Sequence, residues 1–273
     1  MSTMMTNLPD GTEIPQVGFG TWQVPQADAA AAVEAALKAG YRHVDTAQMY
    51  GNEAGVGEGL RASGISRDEV FVTTKCNNST HGFDASIGAL EQSLELLGLD
   101  HVDLYLIHWP QPSRDQYVAT WKGFIEAKQR GLTRSIGVSN FHVPYLERII
   151  AETGVKPSVN QIELHPLLTQ EPLVAECRRL GVAIESWSPL ASGGIIGNHV
   201  ISEIARGYGK SVAQTVIRWH LQLGYIVLPK SVTPARIAEN IDVFDFELTP
   251  DELQRISALN EDSRTGPDPA DLG

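Results

Sequence analysis

The chain is poor in cysteine, with two among 273 residues, Cys76 and Cys177. They stand far apart, in no CxxC or Cys/His spacing, which argues against a disulfide scaffold and against a zinc site. No metal is expected. Positive charge is also short: 21 Lys and Arg face 33 Asp and Glu, a net charge of −12. No basic cluster marks a nucleic-acid-binding face. No apolar run approaches the roughly 18 residues of a membrane span. Residues Met1 to Asn7 are polar and lack the apolar core of a signal peptide. The glycine fingerprint GxGxxG of open dinucleotide-binding sheets is missing too. Two free thiols and no leader point to the cytoplasm, and the expectation is a monomer that binds neither nucleic acid nor membrane.

What the chain has is apolar mass and a regular beat. Hydrophobic residues make up 42% and charged residues 20%, enough for a sizeable core. Short β-branched runs alternate with helical stretches. Val17 to Phe19 precedes an Ala-rich helix over Ala27 to Ala39, and His43 to Asp45 precedes one near Glu53 to Ala62. Val70 to Lys75 leads to Asp84 to Leu97, and Val102 to His108 to Tyr117 to Gln129. Ser135 to Val138 leads to Pro144 to Ala151, and Ser158 to Ile162 to Glu171 to Leu180. Val182 to Trp187 precedes Val200 to Leu223, which Gly207 and Gly209 should split, and Ile226 to Leu228 precedes Pro234 to Asn240. Eight such units in one domain, residues 1–273, predict an α/β fold, a (β/α)8 TIM barrel, rather than an open sheet. Glycines at 40, 64, 98, 131, 154 and 181 sit where helix C-caps belong. Asp10-Gly11 predicts a two-residue hairpin turn closing the barrel bottom, and Thr249-Pro250-Asp251-Glu252 opens an extra C-terminal helix.

Barrels place ligand chemistry at the C-terminal ends of their strands. Here those ends carry Asp45, Lys75, His108, Ser139-Asn140, Gln161 with Glu163, Trp187-Ser188, and Lys230-Ser231. Each alone has an ordinary reading: a helix cap, a solvated lysine, a hydrogen-bonded core histidine, a core tryptophan. Seven strands aiming such groups at one mouth argue for a binding site. Tyr50 follows Asp45 by five residues, in a loop that can return its hydroxyl to that mouth. Asn52 is a candidate N-cap for the next helix.

The motifs Asp45…Tyr50-Gly51-Asn52-Glu53, Thr74-Lys75, Ile107-His108-Trp109-Pro110, Gly137-Val138-Ser139-Asn140, Asn160-Gln161-Ile162-Glu163 and Pro229-Lys230-Ser231-Val232 together resemble the aldo-keto reductases. The resemblance runs over about residues 8 to 260 and is nearest the bacterial 2,5-diketo-D-gluconate reductase group. It implies an oxidoreductase that reduces aldehydes or ketones, α-dicarbonyls or keto-sugars among them, with NADPH. Tyr50 would then be the proton donor, Lys75 the ammonium that lowers its pKa, Asp45 the partner of Lys75, and His108 the group that binds the substrate carbonyl. Tyr50, His108 and Trp109 would meet the substrate. Ser139, Asn140 and Gln161 would anchor the nicotinamide carboxamide, with Trp187 stacked on the ring, and Thr21, Trp22 and Asp45 would also contact the cofactor. Ser188, Leu190 and Ser192 would hold the pyrophosphate. Lys230, Ser231, Val232 and Arg236 would take the 2′-phosphate, and Glu239 and Asn240 the adenine. Thr233 and Pro234 fit a helix start, so this segment reads independently as an anion site.

One position departs from the group. A Leu-Trp pair often follows the catalytic lysine, and here it is Cys76-Asn77, either a reactive thiol beside Lys75 or a buried inert one. Two other readings share the barrel: a Schiff-base aldolase using Lys75 or Lys230, and a non-catalytic subunit that senses the cofactor.

Overall fold

Period-two alternation along the strands separates two interiors. The structure, a computed structural model, describes residues 4–272. Eight parallel strands run in sequence order: β3 (Phe19–Gly20), β4 (His43–Asp45), β5 (Phe71–Cys76), β6 (Val102–Ile107), β7 (Thr133–Ser139), β8 (Val159–Glu163), β9 (Ala183–Trp187) and β10 (Ile226–Val227). On β5 and β6, Val72, Cys76, Tyr105 and Ile107 pack outward under the helices. Phe71, Leu104 and Leu106 pack inward with Val159 and Ile226. The helices α1 (Gln26–Ala39), α2 (Glu53–Ala62), α3 (Phe83–Leu97), α4 (Tyr117–Gln129), α5 (Val143–Thr153), α6 (Glu171–Leu180), α7 (His199–Tyr208), α8 (Val212–Gln222) and α9 (Pro234–Ile241) cover the outside. This is the expected (β/α)8 barrel. Among the described residues no helix is long and apolar enough to cross a membrane.

The barrel closes between its first and last strands. Val17 bridges Val227 in parallel, Gly18 N donates to Val227 O at 2.9 Å, and Gly20 N to Pro229 O at 3.1 Å. A Cβ on Gly18 would lie 2.5 Å from Leu228 Cδ2 and 2.6 Å from His43 Nδ1, so only glycine fits this seam.

The N-terminal hairpin, β1 (Met5–Asn7) with β2 (Glu13–Pro15), plugs the bottom as expected: Leu8 and Ile14 join the inner apolar cluster. Its turn is longer than the Asp10-Gly11 pair suggests. Leu8 N donates to Thr12 O and Gly11 N to Leu8 O, which makes a three-residue loop of Pro9-Asp10-Gly11 with Gly11 at φ +87°. Pro9 cannot donate, so the closing pair moves out to Leu8 and Thr12. Asp10 ties the plug to the barrel through Lys128 Nζ at 2.7 Å and Ser135 Oγ at 2.8 Å. Partial burial works against its charge, but these donors win and hold its carboxyl at about 2. Asp10 therefore contributes stability above the ordinary value of 3.8, which is lost as pH falls through about 2. Asp10→Asn is expected to lower the melting temperature at neutral pH, and thermal scans should show the deficit shrinking between those two values. A deficit constant with pH would mean that the charge is not what holds the hairpin.

Two other boundaries shift. The break in the 200–223 helix falls after Gly209, the left-handed C-cap of α7, while Gly207 stays inside that helix. Ser211 then starts α8 with a reciprocal capping box to Gln214. The extra C-terminal helix is α10 (Pro250–Ser257), opened by the Thr249/Glu252 capping box.

Candidate active site

Inward positions on β4 and β5 put a carboxylate beside an ammonium above the apolar plug. Lys75 is fully buried and spends all three N–H groups, on Asp45 Oδ1 at 2.6 Å, Thr46 O at 2.9 Å and Tyr50 Oη at 3.2 Å. Its nitrogen also lies 4.9 Å from the Tyr50 ring centroid. Burial opposes the charge, but Asp45 and Tyr50 outweigh it and push the ammonium up to about 12. Tyr50 reaches this point because Gln48–Tyr50 forms one 3-10 turn, stopped by Gly51 at φ +64°. Burial raises the Asp45 carboxyl against the pull of Lys75. Both of its oxygens nevertheless face N–H donors, Oδ1 that of Lys75 and Oδ2 that of Gln161 at 2.9 Å. Neither leaves room for a proton, so Asp45 sits as a carboxylate.

Tyr50 differs from the expectation that its pKa is lowered. Burial raises it and Lys75 lowers it, while the Asp45 and Glu185 carboxyls raise it again, and the net direction is up. The resting phenol is therefore held protonated. The His108 ring meets the Tyr50 ring edge-on, centroids 5.6 Å apart at 76°. Burial, then Lys75, push His108 well below its ordinary range, so it is a neutral imidazole with one N–H. Its buried Nδ1 has no partner among the described residues. Trp109 is buried beside this pair and meets Trp187 edge-on at 6.4 Å.

The expected cofactor residues lie at or beyond the C-terminal ends of β3, β4, β7, β8, β9 and β10 and on α9. Ser139 Oγ donates to Gln161 O at 2.8 Å, and Asn140, at φ +63°, donates to His108 O and Ser139 Oγ at 3.0 Å each. Trp187 Nε1 donates to Asn140 Oδ1 at 2.9 Å, so the indole is already tied to the neighbouring anchor. Ser188, Ala191 and Ser192 all have φ near +50° (49°, 49° and 51°), a strained non-glycine loop around Leu190 of the kind that clusters at ligand clamps. Thr21 is buried, donating to Asp45 O at 3.0 Å, and Trp22 is exposed. Gly20 stands against Lys230, bringing the first and last strand ends together. Lys230 and Arg236 are exposed and join no ion pair among the described residues. Val232 and Glu239 are exposed and Asn240 is buried on α9. Thr233 occupies the N-cap position without a side-chain cap bond, and its own N–H donates to Ser231 Oγ at 3.1 Å. Two free cations at a helix start fit a phosphate.

Two side chains behave differently from the sequence reading, and a third, Cys76, takes the inert of its two readings. Asn52 holds the N-cap position of α2 but does not cap it: Nδ2 donates to Thr21 O and Val24 O, stitching the first loop to the second. Glu163 points to the C-terminal tail, accepting from Thr265 N and Oγ1 at 2.6 Å each and from Gly266 N at 3.1 Å. Gly266 lies so close to Trp187 that a Cβ would sit 2.5 Å from the indole. Cys76 faces outward between Asn77 and Thr80, and burial pushes its thiol up, so it is an inert packing residue. Glu185 was not singled out in the sequence. It is fully buried on β9, in register with Gln161, which donates to its Oε2 at 2.7 Å. The signal was one acidic residue inside Ala183-Ile184-Glu185-Ser186-Trp187.

The pattern described as "Aldo/keto reductase family" matches residues 16–261. An aldo-keto reductase of Mycolicibacterium smegmatis is 51% identical over 269 residues, 98% of each chain. Methylglyoxal reductase DkgA of Yersinia pestis is 52% identical over 272 residues, 98% of this chain and 97% of that one. Among solved structures, a variant of Gox0644 in complex with NADPH superimposes with a TM-score of 0.96 at 46% identity, over 100% of both chains. An aldo-keto reductase of Bombyx mori in complex with NADP gives 0.90 at 41%, over 97% of this chain and 95% of that one. With the barrel, the buried Asp45–Lys75–Tyr50 contact and a match over most of its length, this chain belongs to the aldo/keto reductase family.

Proposed function

We propose that this chain reduces small aldehydes and α-dicarbonyls to alcohols with NADPH, in a single barrel domain, with Tyr50 as the proton donor. Family membership makes it an NADP-dependent oxidoreductase acting on a small-molecule carbonyl. The observation that carries the rest is Lys75 Nζ lying within hydrogen-bond distance of both Asp45 and Tyr50. The α-dicarbonyl class follows the methylglyoxal reductases about 50% identical to this chain, with keto-sugars as the wider group. Cytoplasmic residence goes with two free, buried cysteines, and we take the chain to be a monomer.

Bound NADPH supplies a hydride. The residues do the rest. Neutral His108 gives its single N–H to the substrate oxygen, and Tyr50 Oη lies beside it. Negative charge growing on that oxygen would be met by these two donors. Tyr50 then releases its proton, and Lys75 stabilises the phenolate left behind. Asp45 keeps the ammonium aimed. Tyr50 is held protonated at rest and is relieved only as the charge develops, which suits a general acid. The aldolase reading on Lys75 fits less well, since a Schiff base needs a free amine and Lys75 is a fully engaged ammonium.

Arg236 and Lys230 are placed to hold the 2′-phosphate through charge-assisted bonds of about 1.5–3 kcal/mol each. Arg236→Ala is expected to weaken NADPH by about one to two powers of ten and to leave NADH nearly unchanged. Quenching of tryptophan fluorescence by each cofactor reads both affinities. Equal losses would reduce Arg236 to a support for its helix. The reductase reading is tested by NADPH oxidation with aldehydes, α-dicarbonyls and keto-sugars, and no turnover with any of them would overturn it.

A further inference from the structure

We propose that Glu185 is a positioning residue of this reaction: through Gln161 it holds Asp45 on Lys75, and its own charge bears on Tyr50. The proposal rests on the reductase reading above. Gln161 Nε2 carries two protons and gives both to carboxyls, one to Asp45 Oδ2 at 2.9 Å and one to Glu185 Oε2 at 2.7 Å. Two acceptors fix which end of the amide faces down. A flipped amide would set its oxygen against both carboxyls. Asp45 is therefore gripped at both oxygens, by Lys75 and by Gln161, and the grip depends on Glu185 completing the amide's partners. Gln161 Oε1 is left as the free end of the side chain.

The same geometry decides which of the two carboxyls carries a proton. Both oxygens of Asp45 face donors, whereas Glu185 Oε1 has no partner among the described residues. His43 Nε2 lies 3.7 Å away, beyond hydrogen-bond reach, and that nitrogen lies 3.1 Å from Thr73 Oγ1. Burial holds His43 at about 3, so it offers no positive charge. From β5 the only cation is Lys75, already paired with Asp45. From β8 there is only the neutral Gln161. The proton belongs on Glu185 Oε1. Burial, with Asp45 next to it, pushes this carboxyl up to about 8. While Glu185 is neutral, Asp45 and Lys75 cancel. Once it ionises, the cluster under Tyr50 carries net negative charge, which tightens the phenol's hold on its proton and slows reduction.

The experiment compares kcat/KM profiles across pH for wild type, Glu185→Gln and Glu185→Ala, with NADPH affinity measured alongside by fluorescence. Wild type should lose activity as pH rises through about 8. Glu185→Gln keeps an acceptor for Gln161 but cannot ionise. It should run about fivefold slower at neutral pH and lack that alkaline fall. Glu185→Ala, with no acceptor, should be about tenfold or more slower at every pH and bind NADPH less tightly. A Gln profile that parallels wild type on the alkaline side, or an Ala variant equal to wild type, overturns the proposal. If the variants do not fold, carbon-13 NMR of glutamate-labelled wild type decides. One side-chain carboxyl must stay protonated well above the ordinary glutamate range and perturb the tyrosine signals as it titrates, and its absence overturns the proposal. A wild type that oxidises no NADPH at any pH would instead defeat the reductase reading.

Discussion

Replacing Tyr50 by Phe is expected to slow carbonyl reduction by about 10²–10⁴-fold, the usual contribution of a positioned general acid, while NADPH affinity stays close to wild type. The ring of Tyr50 packs edge-on against His108 and over Lys75, and phenylalanine keeps both contacts. Only the hydroxyl is lost, together with its 3.2 Å bond from Lys75 Nζ. Water can take that place on the ammonium, so the fold should survive. The oxyanion then has His108 alone and no nearby acid. Steady-state rates and fluorescence titrations on the same preparation separate the two effects. A Phe variant turning over within a few-fold of wild type would assign the proton to another group.

Lys75→Met should be at least as damaging, and for two reasons. The first is catalytic. The ammonium is the group that lowers the Tyr50 pKa against burial and the Asp45 and Glu185 carboxyls. Without it the phenol holds its proton more tightly, and the residual rate should draw protons from solvent and rise as pH falls. The second is structural. Asp45 is left as a buried carboxylate with only Gln161 to donate to it. Removing one member of a buried ion pair costs about 3–5 kcal/mol, so the melting temperature should fall as well. Kinetics must therefore be read on protein shown to be folded by circular dichroism. A folded Met variant with wild-type rates would contradict the account. So would a covalent adduct on Lys75 of the wild type, trapped by borohydride with a carbonyl substrate.

Local signals carried most of the fold. The outer helices repeat an apolar stripe, α1, α3, α5, α6 and α7 end on left-handed glycines, and α4 spans Tyr117–Gln129 as the periodicity predicts. The strand ends exposed Asp45, Lys75 and His108 because polar residues there interrupt apolar runs. What was hidden depends on partners distant in the chain. Glu163 looked like one more mouth residue, but its carboxylate is taken by Thr265 and Gly266, about a hundred residues on. The tie of Trp187 N–H to Asn140 was not legible in the sequence either. The direction of the Tyr50 shift could not be read from Lys75 alone, because burial and two carboxyls oppose it. Glu185 was visible as an acid in a strand, but its register with Gln161 comes only from the closed sheet.

The central claim is direct transfer of hydride to a carbonyl in this barrel. It is tested by one turnover of methylglyoxal with NADPH deuterated at both C4 positions, followed by mass spectrometry of the product. The account predicts an alcohol carrying one carbon-bound deuterium. An unlabelled product, or methylglyoxal consumed while the labelled cofactor stays reduced, would contradict it.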